Sequence, residues 1–489
     1  DELRISPIIT LNKNRIEQVA ATDILAIISE YSSSRGVLDE TKDIPVDMSL
    51  LDFDAIRIEI ERQAELGSRQ GLSVEAHQGE GKDMDSDDDD DGNDNGDSGS
   101  GDDSGTGGDS SSGIDTEPED DIKKLENKFR TYYSRILFFS FLTKVNVASL
   151  DDIIRCVDSG ENARIASNLG IYKNFLELMR GHMNIFILRQ LDYKIQNINT
   201  LAHDETVEPM QRATVAIRKF GRISDSEITT PENVATDMIN LIPDDCFYAL
   251  HDSEDIRILD IASKMGEFAV AVLKRCEALG ITLDEIKDKI LSIPTSSIAY
   301  EFTRKVYEVL GLDTGAIAEQ FNSYDILKMK EIKEDGSEGD KLDYEKIKNL
   351  LSQKKDFADI SLDADISGVT EVNKVNFNAV VGNPPYQEAD GGASASARPI
   401  YPYFVDASKR LSALYSTIIM PSRWYTGGKH LNEFRQAMLD DIHIRELHDC
   451  LHPEEIFPDT NNRGGLCYFL WDSSYDNESD NRMRVVTHK

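Results

Sequence analysis

The residues best suited to chemistry stand together at 382–386, Gly-Asn-Pro-Pro-Tyr, where the apolar run 377–383 ends. Two consecutive prolines cannot donate to a sheet ladder, so a strand must stop here. Asn383 offers an amide side chain, and the prolines offer carbonyls with no competing N–H. Tyr386 adds an aromatic face. Such a set suits a planar group that donates hydrogen bonds and can lie against a ring.

A second group of residues lies upstream. Asp260 closes the apolar run "IRILDIA" (256–262), a turn of small residues follows through Ala262, and Gly266 opens a helix that includes Phe268. In doubly wound folds an acid and a glycine at a strand's carboxyl edge seat a nucleoside or nucleotide. Taken alone, this turn reads equally well as a structural strand–helix connection. Neither GxGxxG nor GxxxxGK[ST] occurs, so a dinucleotide or triphosphate pocket is unsupported. Glu301, in "IAYEFTRKVYE", and Asp325, in "FNSYDILK", stand near the next two strand ends, each otherwise readable as a helix cap or surface acid. Thr230 and Pro231 precede "ENVATDMINLI", with Thr230 expected as N-cap and Pro231 at the first helical position.

The elements that would position these residues follow from hydrophobic period. From 122 to about 220 the spacing is helical. The aromatics Tyr132, Tyr133, Phe138 and Phe139 read as helix-packing core, with base stacking the alternative. After 221 short apolar runs alternate with helical ones, the pattern of a parallel α/β sheet. Strands are expected at 256–262, near 317–325, and at 377–383, 416–421, 444–449 and 465–471. Helices are expected at 231–242, 267–279, 298–311, 403–414 and 431–441. The Lys/Glu-rich segment 328–365 reads as a surface insertion with one short helix.

The length of 489 residues suggests about three domains. Residues 83–121 hold seventeen acids and no Lys or Arg, nearly half of the net charge of −37. That composition cannot bury enough apolar surface to offset its ordering entropy, so 78–121 is expected to be a disordered acidic linker. A DNA-mimicking role for it is the other reading. The remainder is still acidic, so any nucleic-acid surface must be a local patch. Five cysteines lack CxxC or His spacing, which predicts no metal site and a reduced, cytoplasmic protein. The longest apolar run, 136–142, is too short to cross a membrane.

The motifs "TPENVA", "LDIASKMGEF", "IAYEF", "FNSYD" and "VVGNPPY" run in an order that resembles γ-class N6-adenine DNA methyltransferases of restriction–modification systems. The downstream "MPSRWYTGGKHLNEFRQAMLDD" and "IFPDTNNRGGLCYFLW" look like the type II group that fuses methylase and restriction functions. The resemblance covers about 215–489. It implies an α/β, doubly wound, Rossmann-like core binding S-adenosylmethionine, preceded by a mostly helical region. The implied substrate is an adenine flipped out of double-stranded DNA.

On this resemblance Asn383, Pro384, Pro385 and Tyr386 are catalytic. Asp260, Ala262, Gly266 and Phe268 belong to the cofactor motif, Glu301 to the ribose, Asp325 to the cofactor adenine, and Thr230 and Pro231 to the methionine part. Phe457 or Tyr468 would give a second aromatic wall. Arg398, Lys409, Arg410, Arg423 and Lys429 are candidates for phosphate contact, and "GGASAS" (391–396) for a mobile loop. The cofactor motif departs from the usual pattern, with Ile261 where Pro is common and Lys264 where the first Gly is common. If position 264 needs positive φ, lysine there costs about 1 kcal/mol, and a reshaped turn is expected.

Residues 1–77 are then expected to be the tail of an upstream helicase or nuclease module in the same parent chain, and 122–220 a connector. Residues 221–489 would be the catalytic domain without its target-recognition domain, making the chain a fragment. Two rival readings are a non-catalytic methyltransferase-like subunit of a restriction complex and a protein glutamine N-methyltransferase, which shares Asn-Pro-Pro-Tyr. RNA amine methylation is a third.

Overall fold

The computed structural model describes residues 118–488, apart from short segments at 225–226, 334, 354–356, 365, 367–369, 371–373, 388–397, 429, 458–463 and 477–482. The expectations for 1–77, the acidic tract up to 117, the loop 391–396 and Lys429 lie outside the described residues.

Helix α1 (Pro118–Leu142) begins four residues inside the stretch expected to be linker, with proline at its first position, where no helical N–H is lost. Five more helices complete this region: α2 (Leu150–Cys156), α3 (Glu161–Leu169), α4 (Lys173–His182), α5 (Ile185–His203) and α6 (Pro209–Phe220). Their ends are written locally. Ser149 caps α2 through the Asp152 N–H, and Asn184 caps α5 through the N–H groups of Phe186 and Ile187. The aromatics of α1 are core: Phe138 and Phe141 pack with Phe220 and with Phe302 of the next region at ring separations of 5.1–5.9 Å. Tyr132, Tyr133 and Phe139 are buried as well.

The remaining chain runs α7 (Glu232–Leu241), α8 (Asp244–Asp252), β1 (Ile256–Ser263), α9 (Glu267–Ala278), α10 (Leu283–Ile286), β2 (Ile290–Pro294), α11 (Ser297–Leu310) and α12 (Ser323–Ile326). A hairpin follows, β3 (Lys330–Ile332) and β4 (Glu338–Leu342), then α13 (Tyr344–Leu351) and β5 (Asn376–Gly382). The chain closes with α14 (Tyr401–Leu411), β6 (Ser412–Pro421), α15 (Asn432–Asp440), β7 (Ile444–Cys450), α16 (Pro453–Ile456), β8 (Leu466–Asp472) and β9 (Arg484–His488).

Seven strands form one sheet in the order β2-β1-β5-β6-β8-β7-β9. β2, β1, β5 and β6 are parallel, β8 is inserted antiparallel between β6 and β7, and β9 runs parallel to β7. The inner strands are apolar almost throughout because both faces are covered. The chain moves from β1 through α9 outward to β2, and from β5 through α14 in the opposite direction to β6. Right-handed crossovers therefore put α9 and α14 on opposite faces. The reversal lies between β1 and β5, and ligands of open α/β sheets bind at the carboxyl ends of such a pair.

Two expectations differ from the structure, and one strand, β2, was not expected. The strand expected near 317–325 is reduced to one bridge, Ile317 with Ser292, before the chain turns into α12. Its Asn-Ser-Tyr-Asp run makes a capping box with Asn322, which favours a helix start over a ladder. β2 is a full sheet strand although it has only five residues and ends in proline. The insertion 328–365 carries the β3–β4 hairpin as well as its helix.

Candidate active site

β1 and β5 bring Asp260 and Asn383 to adjacent strand ends. In the ladder Asp260 stands opposite Val381, two residues before Asn383. A Cβ on Gly382 would lie 3.1 Å from Ile261 Cγ2 and 3.6 Å from Asp260 Oδ1, so glycine allows this close approach. The turn after β1 takes one positive φ, at Gly266 (77°), which caps α9. Among the described residues the only non-glycine with positive φ is His430. Lys264 therefore carries none of the conformational cost considered for it.

Asp260 is buried. Its Oδ1 accepts the Ala262 N–H at 3.1 Å, and its Oδ2 is buried without a hydrogen-bond partner. Burial, with Glu267 nearby, pushes its carboxyl up to about 8. Glu267, also buried, accepts the N–H of Met265 (3.1 Å) and of Thr230 (3.2 Å), tying the turn to the segment before α7. Phe268 is buried in the core beneath α9.

Thr230 does not cap α7, because Pro231 takes the N-cap position and Thr230 stands one residue earlier. The hydroxyls of Thr229 and Thr230 are buried without partners. Both residues line a cavity of about 900 Å³, together with Pro231, Glu267, Phe220 and Phe457.

Two of the expected acids are engaged elsewhere. β2 ends in Pro294, and the following Thr295 donates its hydroxyl to Glu227 (2.5 Å). Glu301 sits within α11, buried, where its carboxylate accepts Arg164 Nη1 and Asn168 Nδ2 of α3, both at 2.5 Å. Its place within the helix, not at the strand end, turns it toward the helical region. Asp325 lies in the first turn of α12. Its Oδ2 accepts the Asn322 N–H at 2.9 Å and its Oδ1 pairs with Lys328 at 2.8 Å. Both carboxylates thus have structural partners within the chain.

Asn383 is almost fully buried, at 4% exposure, and its Nδ2 is 3.5 Å from the Ile228 carbonyl. The segment 228–231 therefore borders both the Asn383 amide and the cavity. Lys264 donates to the Asn383 backbone carbonyl at 2.6 Å. Tyr386 packs edge-on to Tyr401 with ring centres 6.4 Å apart. Tyr401 meets Phe434 (5.6 Å), and Phe434 meets Trp424 (5.9 Å). Tyr401 and Trp424 escaped the sequence reading because Tyr401 precedes the helix expected at 403–414 and Trp424 lies in the short turn 422–426 after β6. Tyr468 is not part of this set: it stacks on His448 at 4.6 Å, since its place in β8 faces β7. Of the basic candidates, Lys409 pairs with Asp441 (2.8 Å) and Arg410 lies over the Tyr344 ring (4.5 Å). Arg398 donates to Tyr403 Oη (2.6 Å), and Arg423 is exposed.

Residues 262–457 match the family model described as Eco57I restriction-modification methylase. This segment is similar to the Eco57I restriction-modification methylase family. The matched residues include Asn383, Tyr386 and Phe457 and begin two residues after Asp260. A curated relative, an adenine-specific methylase of Mycoplasma pneumoniae, is 27% identical over 113 residues, or 22% of this chain and 27% of the relative. The alignment thus spans about a quarter of that relative's length. Solved structures similar to the chain include the type I restriction-modification methyltransferase subunit of Streptococcus thermophilus, 12% identical, covering 74% of this chain and 83% of that one at a TM-score of 0.36. Another is the type IIL enzyme MmeI in complex with DNA, 11% identical, covering 71% of this chain and 54% of that one at a TM-score of 0.35. Among the described residues no helix is long and apolar enough to cross a membrane.

Proposed function

We propose that this chain methylates the exocyclic amine of adenine in double-stranded DNA as the modification part of a restriction–modification system. The observation that carries the reading is Asn-Pro-Pro-Tyr leaving β5 at the sheet's reversal point, beside Asp260, within residues that match a restriction-modification methylase family. The match to an adenine-specific methylase supports the choice of base.

The adenine amine is a poor nucleophile because its lone pair is delocalised into the ring. Asn383 Oδ1 and the Pro384 carbonyl accept its two hydrogens and stabilise the positive charge that develops on nitrogen during attack. No general base is needed before attack. Tyr386 stacks on the base once it has left the duplex. Burial drives its phenol far above the usual tyrosine range, so the ring stays neutral.

S-adenosylmethionine supplies an activated methyl group on a sulfonium when bound. The residues that would hold it are Asp260, Ala262, Gly266 and Phe268, with Thr230 and Pro231. The partnerless Asp260 Oδ2 and Thr230 Oγ1 suit the hydrogen-bonding end of an amino acid. Glu301 and Asp325 are left out of this set because their carboxylates are already paired. The γ-class assignment and a fused restriction or helicase module stand as part of the same proposal.

A methylase-like subunit without transfer activity is the second reading. The lysine in the turn after β1, bonded to the loop that carries Asn383, favours it. One experiment separates the two. The chain is expressed in a host lacking adenine methylation, and the host DNA is sequenced for N6-methyladenine. Methylation in one sequence context, lost in Asn383→Ala while cofactor affinity stays within a few fold, supports transfer. A folded protein that binds cofactor and leaves the DNA unmodified supports the second reading.

A further inference from the structure

Lys264 is an unusual residue to find inside the turn after β1. It is 3% exposed, and its ammonium lies 2.6 Å from the carbonyl oxygen of Asn383, across 119 residues of sequence. A buried ammonium needs compensation. Burial lowers the pKa of this amine, and the nearby Glu267 and Glu227 act against that shift.

The target of this bond matters more than its strength. β5 ends at Gly382, so the Asn383 carbonyl lies beyond the paired strand. The loop that follows has few soft torsions. Pro384 and Pro385 have fixed φ. Asn383 and Pro384 each precede a proline, which confines them to extended conformations. The torsion that remains free near the strand end is φ of Asn383, and because its side chain and its carbonyl both lie beyond that bond, it orients both proposed acceptors. Holding the Asn383 carbonyl holds that rotation. A glycine at 264 has no side chain with which to do so.

We propose that Lys264 is a positioning residue whose ammonium clamps the Asn383 carbonyl and thereby couples the turn after β1 to the Asn-Pro-Pro-Tyr loop. The coupling rests on the methyltransferase reading above for its purpose, but not for its detection. Movement of the turn is transmitted to the acceptors through one hydrogen bond, so occupancy of the turn sets the loop.

Hydrogen–deuterium exchange on the full chain tests this without activity. In Lys264→Met, which keeps the side-chain bulk and removes the donor, a peptide spanning 380–387 exchanges at least 5-fold faster, while one spanning 268–276 is unchanged. Unchanged exchange in 380–387 overturns the clamp. Should the methionine variant not fold, the wild-type chain decides. S-adenosylhomocysteine, added at saturating concentration, slows exchange in 380–387 at least 3-fold if turn and loop are coupled. Bound ligand with no change in that peptide overturns the coupling. A wild-type chain that shows no ligand binding and no DNA methylation counts against the methyltransferase reading instead, and the Lys264→Met exchange result still judges the clamp. For a folded variant, calorimetry with S-adenosylhomocysteine adds a second criterion. Affinity within 3-fold of wild type, with methylation reduced at least 20-fold, supports a positioning role. Affinity raised 10-fold or more with methylation intact means that Lys264 only obstructs the turn, and overturns it.

Discussion

Arg164 Nη1 lies 2.5 Å from Glu301 Oε1, an ion pair that joins helix α3 of the helical region to helix α11 beside the sheet. Glu301 is 2% exposed on its side chain and also accepts Asn168. Around it Lys144, Glu161, Arg304 and Glu308 extend the pairing along the same seam. The helical region is thereby fastened to the helix that follows β2.

Removing one partner of a buried pair leaves the other charge uncompensated. Arg164→Ala is expected to destabilise the chain by about 3 kcal/mol, read from urea unfolding. Glu301→Gln should leave S-adenosylhomocysteine affinity within 2-fold, because the carboxylate serves the seam. A loss of 10-fold or more would return Glu301 to the ribose.

Glu161 sets an acid limit on that seam. Burial raises its carboxyl, but the hydrogen bonds from Arg304 and Lys144 outweigh this and hold it at about 2, below its ordinary 4.5. A lowered folded value means that the unfolded chain binds more protons in this range. The stabilisation is complete above pH 4.5 and is lost as pH falls toward 2. After allowance for partial exposure it amounts to about 1 kcal/mol. In Glu161→Gln the urea midpoint should fall less between pH 5 and pH 3 than in wild type, and parallel curves would contradict the assignment.

Gly382→Ala places a methyl 3.1 Å from Ile261 Cγ2 in a packed strand pair. Separation of the β1 and β5 ends should cost about 2 kcal/mol and displace Asn383. Thermal unfolding combined with methylation assays would show both effects, and a variant with wild-type melting would argue against the tight approach.

The Tyr386 hydroxyl is buried without a hydrogen-bond partner, which costs the fold rather than helping it. Tyr386→Phe is expected to keep methylation within 3-fold and to raise stability by about 0.5 kcal/mol. Tyr386→Ala, which removes the stacking face, should lower methylation at least 10-fold. Equal activities in the two variants would rule out stacking.

Much of the architecture is local and therefore readable in one dimension. The apolar runs at 256–262, 377–383, 444–449 and 465–471 become strands within a residue or so, and the helices after β1, β2 and β6 fall where their periodicity puts them. Asn-Pro-Pro-Tyr had to leave a strand because two consecutive prolines give a ladder no N–H donor. Its residue types suggested the proposed chemistry before any fold was known. Tertiary structure alone decided which polar groups remained free to use that chemistry. Glu301 looks like a strand-end acid until α3, some 137 residues earlier in sequence, supplies Arg164. Asp325 looks like a ligand until its own backbone closes a capping box around it. Lys264 looks like a defect in a glycine turn until β5 brings the Asn383 carbonyl to its ammonium. The function of a carboxylate or ammonium depends on which partner the fold places within about 3 Å of it.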